Sequence, residues 1–191
     1  MRYVEITLLP AMEVSQAFLL SKLFMAIHTR LVELKDEKDN VGIGISFPEY
    51  SVAGKTLGTK IRLIAEKRET LETFDVKTTL KIYTEYAHFT GIREVPEGVS
   101  SHVQFTRVQP PATLERLARR KAKRMSITYE EAVEKISQYA PNHITLPYVL
   151  IRSKSSNKGF SLFVKKIENH TTEQFTFNTY GLSKGGTVPE F

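Results

Sequence analysis

The spacing of apolar residues changes period repeatedly through the first ninety-odd positions, and this switching constrains the fold more than any other feature of the chain. Val4, Ile6 and Leu8 alternate with Glu5 and Thr7, which marks a half-buried strand ending before Pro10. From about Val14 to Glu33 the apolar residues Leu20, Leu23, Phe24, Ile27 and Leu31 fall three and four apart, the spacing of a helix with one buried stripe. After the charged loop Asp36-Glu37-Lys38-Asp39-Asn40, the alternation of Val41, Ile43, Ile45 and Phe47 with Gly42, Gly44 and Ser46 predicts a second strand, stopped by Pro48. Ile61, Leu63 and Ala65 predict a third. Residues 69–82 read as a helix weakened by Thr78 and Thr79. Tyr86 to Val95 reads as a fourth strand. Strand–helix–strand–strand–helix–strand is the ferredoxin-like order of an α+β domain, and that fold carries no function by itself.

A chain of 191 residues holds one large domain or two small ones. Pro96-Glu97-Gly98 is the strongest boundary signal and coincides with a change of charge. Residues 1–97 carry 13 Lys/Arg and 14 Asp/Glu, whereas residues 98–191 carry 14 and 7. The expected organisation is a ferredoxin-like domain over 1–97 and a second α+β domain over 98–191. All the basic excess of this +6 chain lies in the second half, and a polyanion, nucleic acid first, is the partner it suits. Apolar runs are too short for a membrane span, and the acid at Glu5 sits where a signal peptide's apolar core would begin. The expectation is a chain with no membrane association. The absence of cysteine excludes thiolate zinc sites and cysteine nucleophiles, and it fits a reducing compartment such as the cytoplasm.

After a strand from His102 to Val108 comes the most informative local segment, Thr113 to Met125. Residues 116–124 hold six Lys/Arg in nine positions and no acid. Wound as a helix, Arg116, Arg119, Arg120, Lys123 and Arg124 fall within roughly 140° of arc. Leu114, Ala118, Ala122 and Met125 lie on the opposite side, suited to docking on protein. Like charges four apart destabilise a helix, so the pattern answers to an anionic ligand rather than to local stability. Thr128-Tyr129-Glu130-Glu131 has the form of a capping box and starts a second helix towards Gln138. Strands over Thr145–Arg152 and from Phe160 flank the basic loop Ser153 to Gly159, a predicted hairpin. Phe160 beside that loop has two readings, a core side chain or a platform for a base. The segment Gly181-Leu182-Ser183-Lys184-Gly185-Gly186 lacks the order of a nucleotide-binding P-loop.

The catalytic inventory is short. Five histidines show no metal-ligand spacing, and there is no nucleophile elbow. His28 adjoins the buried stripe of the first helix, a boundary position that is structural more often than catalytic.

Several segments, in order and spacing, resemble the repeat-processing endoribonucleases of subtype I-F (Ypest) CRISPR systems. They are Leu23-Phe24…His28, Gly44 to Pro48, Arg107-Val108-Gln109, the arginine helix, Leu146-Pro147…Arg152-Ser153, Phe160 to Phe163 and Tyr180 to Gly186 with Val188-Pro189. The resemblance implies an enzyme of antiviral defence that binds the CRISPR repeat hairpin and cuts precursor CRISPR RNA. It implies His28, Ser153 and Tyr180 as catalytic residues, with Ser153 positioning the 2′-hydroxyl. It implies a C-terminal RNA-binding domain over 98–191, with Arg107 and Gln109 reading base edges, Arg120 and Arg124 facing the groove of the stem, and Phe160 stacked at its base; Arg116, Arg119 and Lys123 belong to the same cationic helix face and are expected on the RNA with them. No metal and no cofactor are expected, because RNA carries its own nucleophile in the 2′-hydroxyl. Other subunits of the type I-F surveillance complex are expected partners. Two further readings stand beside this one: a hairpin-binding module in which His28 is structural, and a general RNA-binding ferredoxin-like protein.

Overall fold

A computed structural model describes residues 1–110, 112–136, 144–152, 157–169 and 175–191. The chain packs as two compact units. One comprises Met1–Val108 with Leu146–Phe191, the other Gln109–Thr145. The boundary expected at Pro96-Glu97-Gly98 divides the chain by charge and composition, and the first unit takes in chain from both sides of it.

The first unit is mixed α/β with two antiparallel sheets. Strand β1 (Arg2–Leu8) leads into helix α1 (Gln16–Glu33), which is followed by β2 (Gly44–Ser46) and β3 (Lys60–Ala65). Helices α2 (Arg68–Phe74) and α3 (Val76–Thr79), then a single 3-10 turn, precede β4 (Ala87–Phe89) and β5 (Arg93–Glu94). The first sheet has the order β2-β3-β1-β4, and β5 also pairs with β1. The second sheet is built from β6 (His102–Val108), β7 (Tyr148–Arg152), β8 (Gly159–Asn169) and β9 (Val188–Pro189), in the order β7-β8-β6-β9.

Local chemistry accounts for the places where the elements depart from the spacing. The helix expected over 69–82 breaks at Asp75, whose φ of 48° ends α2 in the left-handed region. The Asp75 carboxylate then accepts from the Thr78 N–H and caps α3. The strand expected from Val41 to Phe47 keeps only three ladder residues, while Val41 bridges to Phe177 instead. Gly44 permits that neighbour: a Cβ there would lie 2.5 Å from the Phe177 ring. The fourth strand is two short pieces interrupted near Gly91, both paired with β1. Pro189 is tolerated in β9 because that strand lies at a sheet edge.

A single apolar cluster runs through the unit. The α1 stripe, with Leu19 added to the five expected residues, meets Val4, Ile6 and Leu63 of the first sheet and joins Val103, Phe105, Ile151 and Leu162 of the second. Each such side chain contributes about 1.5–3 kcal/mol on burial. The Tyr50 hydroxyl donates to the Val164 carbonyl at 3.0 Å, and its proton is held more tightly than usual by burial. No helix among the described residues is long and apolar enough to cross a membrane.

The second unit is a helical hairpin, α4 (Leu114–Met125) and α5 (Tyr129–Ile136). Thr113 caps α4 by accepting from the Arg116 N–H, and Ser126, at φ 52°, ends it. The capping box at the start of α5 is formed in both directions. The Thr128 N–H donates to Glu131 at 3.0 Å, and the Glu131 N–H donates to the Thr128 hydroxyl at 3.2 Å. The described part of α5 ends at Ile136, so its expected extension to Gln138 lies outside the described residues.

Candidate functional site

Two groups of the expected residues are brought together, one in each unit. The first is assembled around His28. Its Nδ1 lies 2.8 Å from the carbonyl oxygen of Thr179. A carbonyl only accepts, so Nδ1 carries the hydrogen and the neutral imidazole keeps its lone pair on Nε2. The Tyr180 ring stacks on the imidazole, with centroids 4.0 Å apart and planes 13° from parallel. Phe24, one turn earlier on α1, continues the stack with its centroid 6.4 Å from that of Tyr180. Both His28 and Tyr180 are half-buried.

The chain builds this seat with a turn rather than a regular element. The Asn178 side-chain oxygen accepts from the N–H groups of Tyr180 and Leu182, at 2.8 and 3.3 Å. The Gly181 N–H donates to the Asn178 carbonyl, and the Asn178 N–H to the Leu182 carbonyl. Gly181 has φ 68°, a left-handed conformation that a side chain disfavours. Its carbonyl accepts from the Ile45 N–H at 2.8 Å, so the turn is docked on β2. A Cβ on Gly181 would stand 2.4 Å from Ile45 Cγ1. The following residues serve the same anchoring. The Ser183 hydroxyl bonds the Gly186 carbonyl, and the Lys184 ammonium donates to Asn40 Oδ1 at 2.7 Å.

Arg107, exposed at the end of β6, connects two of the expected aromatic residues. Its guanidinium carbon is 5.6 Å from the Tyr180 centroid and 5.5 Å from that of Phe160. Phe160 is half-buried: it packs against the apolar cluster and also lies under a cation. Ser153 lies outside the described residues. Gln109 is exposed and belongs to the second unit.

The second group is the α4 face. Arg116, Arg119, Arg120, Lys123 and Arg124 are all exposed. Among the described residues none of them forms an ion pair, and all seven ion pairs found lie elsewhere in the chain. The buried side differs from the expected stripe. Ala118 is fully buried against Ala132 and Ile136, with Leu117, Ala122 and Ile127 around them. Leu114 and Met125 remain exposed at the two ends of α4. Alanine at 118 lets α5 approach closely, so the contact falls mid-helix rather than along its whole length. Lys121 turns from the cationic face and donates to the Lys135 carbonyl near the end of α5.

Sequence reasoning missed the Thr179 carbonyl, Asn178 and Gly181 as the imidazole's support. The spacing Asn178…Gly181 is a turn signal, but nothing in it tells which helix the turn meets.

The sequence profile of the family described as CRISPR-associated protein (Cas_Csy4) matches residues 3–191. The chain is 33% identical over 190 residues to the CRISPR-associated endonuclease Cas6/Csy4 of Pseudomonas aeruginosa (strain UCBPP-PA14), covering 99% of this chain and 98% of that protein. It is 31% identical over 190 residues to the protein of the same name from Escherichia coli (strain UTI89 / UPEC), with the same coverage of 99% and 98%.

Proposed function

Because the chain belongs to the Cas_Csy4 family of CRISPR-associated proteins, we propose that it binds the CRISPR repeat hairpin and cuts precursor CRISPR RNA with His28 as the proton-transferring group. Its activity is that of a CRISPR-associated endonuclease. The observation that carries the catalytic reading is the seat of His28. The Thr179 carbonyl fixes the tautomer and Tyr180 fixes the ring plane, which leaves Nε2 as the basic atom.

The 2′-hydroxyl oxygen of the nucleotide before the cut attacks the adjacent phosphorus, and the bond from phosphorus to the 5′-oxygen breaks. The products are a 2′,3′-cyclic phosphate and a 5′-hydroxyl. One proton leaves the 2′-hydroxyl and one arrives at the 5′-oxygen, and an imidazole serves either transfer. Ser153 holds the 2′-hydroxyl in line. No metal is needed, since the nucleophile is part of the substrate.

RNA binding is assigned to residues 98–191. The α4 cations meet the stem, Arg107 and Gln109 meet base edges, and Phe160 stacks at the stem's base. Support comes from the exposed cationic face of α4, which forms no ion pair among the described residues, and from the Arg107–Phe160 contact. Arginine pairs with guanine O6 and N7 where the groove is open near a hairpin's end. The 1–97 domain is read as ferredoxin-like. The order β2-β3-β1-β4, with α1 crossing from β1 to β2 and β3 inserted between them, supports that reading. Partners are the repeat hairpin and other subunits of the type I-F surveillance complex.

Single-turnover cleavage of a cognate repeat tests the mechanism. His28→Ala should retain hairpin affinity and lose at least about 10²-fold in rate. A 2′-deoxy sugar before the cut should bind and stay intact, and EDTA should leave the wild-type rate unchanged. Cleavage of the deoxy substrate, or activity lost to EDTA and restored by Mg²⁺, overturns the 2′-hydroxyl mechanism.

A further inference from the structure

Strand alternation puts a cation where the core of the second sheet runs out. Val103 and Phe105 of β6 face inward and are buried, and Arg107 follows them at the same two-residue period. Phe160, Leu162 and Val164 alternate onto the inner face of β8, and Val164 is the cross-strand partner of Arg107. An arginine at the end of such a face lays its stem over apolar neighbours and its guanidinium over rings. Arg107 is exposed, yet among the described residues it forms no ion pair, and the contacts of its guanidinium are the rings of Phe160 and Tyr180.

The turn that carries Tyr180 is fastened beside it. The Ser183 N–H donates to the Phe105 carbonyl at 2.8 Å, so the turn meets β6 two residues before Arg107. The guanidinium carbon lies 5.6 Å from the Tyr180 centroid, and that ring lies 4.0 Å from the imidazole of His28. Arg107, Tyr180 and His28 thus form a chain of contacts, cation to ring to imidazole. Tyr180 is only half-buried. Asn178 sets its main chain, but the ring turns about two side-chain torsions that the turn does not fix. Its neighbours fix them: Phe24 and His28 in the stack, and Arg107.

We propose that Arg107 is a positioning residue for His28 and acts through Tyr180: its guanidinium holds the ring at the angle at which it meets the imidazole. The proposal rests on the functional reading above and gives Arg107 a second task beside that of meeting a base edge.

Single-turnover cleavage of a cognate repeat hairpin, followed from low to saturating protein, separates the two tasks. Arg107→Ala should lower the saturating rate about three- to tenfold, the scale of a cation held over a ring, besides any loss of affinity. On a Tyr180→Ala background the same change should cost the saturating rate less than about twofold. On Tyr180→Phe, which keeps the ring, it should cost its full amount. Proton NMR of the RNA-free protein gives a readout independent of cleavage. The His28 ring protons, assigned by their absence in His28→Gln, are displaced by the ring current of the stacked Tyr180. Arg107→Ala should move them towards their Tyr180→Ala positions. Arg107→Leu, which keeps an apolar stem, replaces the alanine variant if a thermal melt shows that one unfolded. An unchanged saturating rate, with the whole loss in affinity, overturns the proposal. So does a rate loss that adds in full on Tyr180→Ala, or His28 signals that stay in place. A wild type that leaves the hairpin uncut would instead sink the functional reading, and the NMR signals would still decide what Arg107 does to the ring.

Discussion

The Tyr180 ring lies flat against the His28 imidazole, 4.0 Å between centroids and 13° from parallel. The contact is made by a face, so the ring matters more than the hydroxyl. Tyr180→Phe should keep a near-native cleavage rate. Tyr180→Ala removes the face that holds the imidazole plane and should lower the single-turnover rate by about 10-fold or more, on the scale at which misplaced groups act. Hairpin affinity by filter binding should change little in either variant. Equal loss of rate in the two would assign the effect to the hydroxyl.

Gly181→Ala should lower both stability and rate. The φ of 68° and the 2.4 Å approach to Ile45 Cγ1 leave no room for a methyl group. A strained left-handed residue alone costs about 1–3 kcal/mol, readable as a lower urea midpoint. The turn also carries the Thr179 carbonyl, so cleavage by the folded fraction should fall as well.

Arg120→Ala with Arg124→Ala should weaken hairpin binding by about 1–3 kcal/mol for each arginine that pairs with a base. Where an arginine instead neutralises a phosphate, the dependence of log K on log salt should become shallower by about one unit. Both residues are exposed, so the thermal midpoint should stay where it is. Unchanged affinity at fixed salt would remove α4 from the interface.

Glu49 gives a pH-dependent expectation. The Thr59 N–H, bonded to its carboxylate at 2.8 Å, is the largest influence holding its pKa below the ordinary value of 4.5; desolvation opposes it, and the Thr59 hydroxyl and Lys60 add to the lowering. A carboxyl with a depressed folded pKa stabilises the fold above its unfolded pKa, and that contribution disappears as pH falls through the folded value. Glu49→Gln should therefore melt earlier than wild type near neutral pH. The two curves should converge once the pH has fallen below the folded value. A gap that persists in acid would trace the loss to packing instead.

Much of this architecture could be read from local spacing. The α1 stripe from Leu20 to Leu31, the alternation in β1, the strand His102–Val108 and the capping box at Thr128 all have short-range signals, and each is present in the fold. The break at Asp75 could not be read that way, because it is a change in one residue's dihedral angles that no spacing of side chains announces. The edge strand Val188–Pro189 depends on a partner more than eighty residues upstream. Leu114 and Met125 have the composition of a buried stripe but sit beyond the reach of α5. At the candidate site His28 and Tyr180 were legible as residues. The resemblance also implied that the tyrosine supports the histidine; the Thr179 carbonyl was not legible, because it is a main-chain oxygen and every residue type supplies one.

The seat of His28 also imposes an order of events on synthesis. The imidazole is made 151 residues before the carbonyl that orients it. At roughly 5–20 residues per second, a ribosome needs on the order of ten seconds to bridge that interval. Throughout it, α1 can form and even pack while its histidine lacks the Thr179 carbonyl. On the proposed mechanism, maturation is decided by the last stretch of chain to emerge, and a nascent protein already able to fold its first helix does not cut RNA until the turn at Asn178 reaches His28.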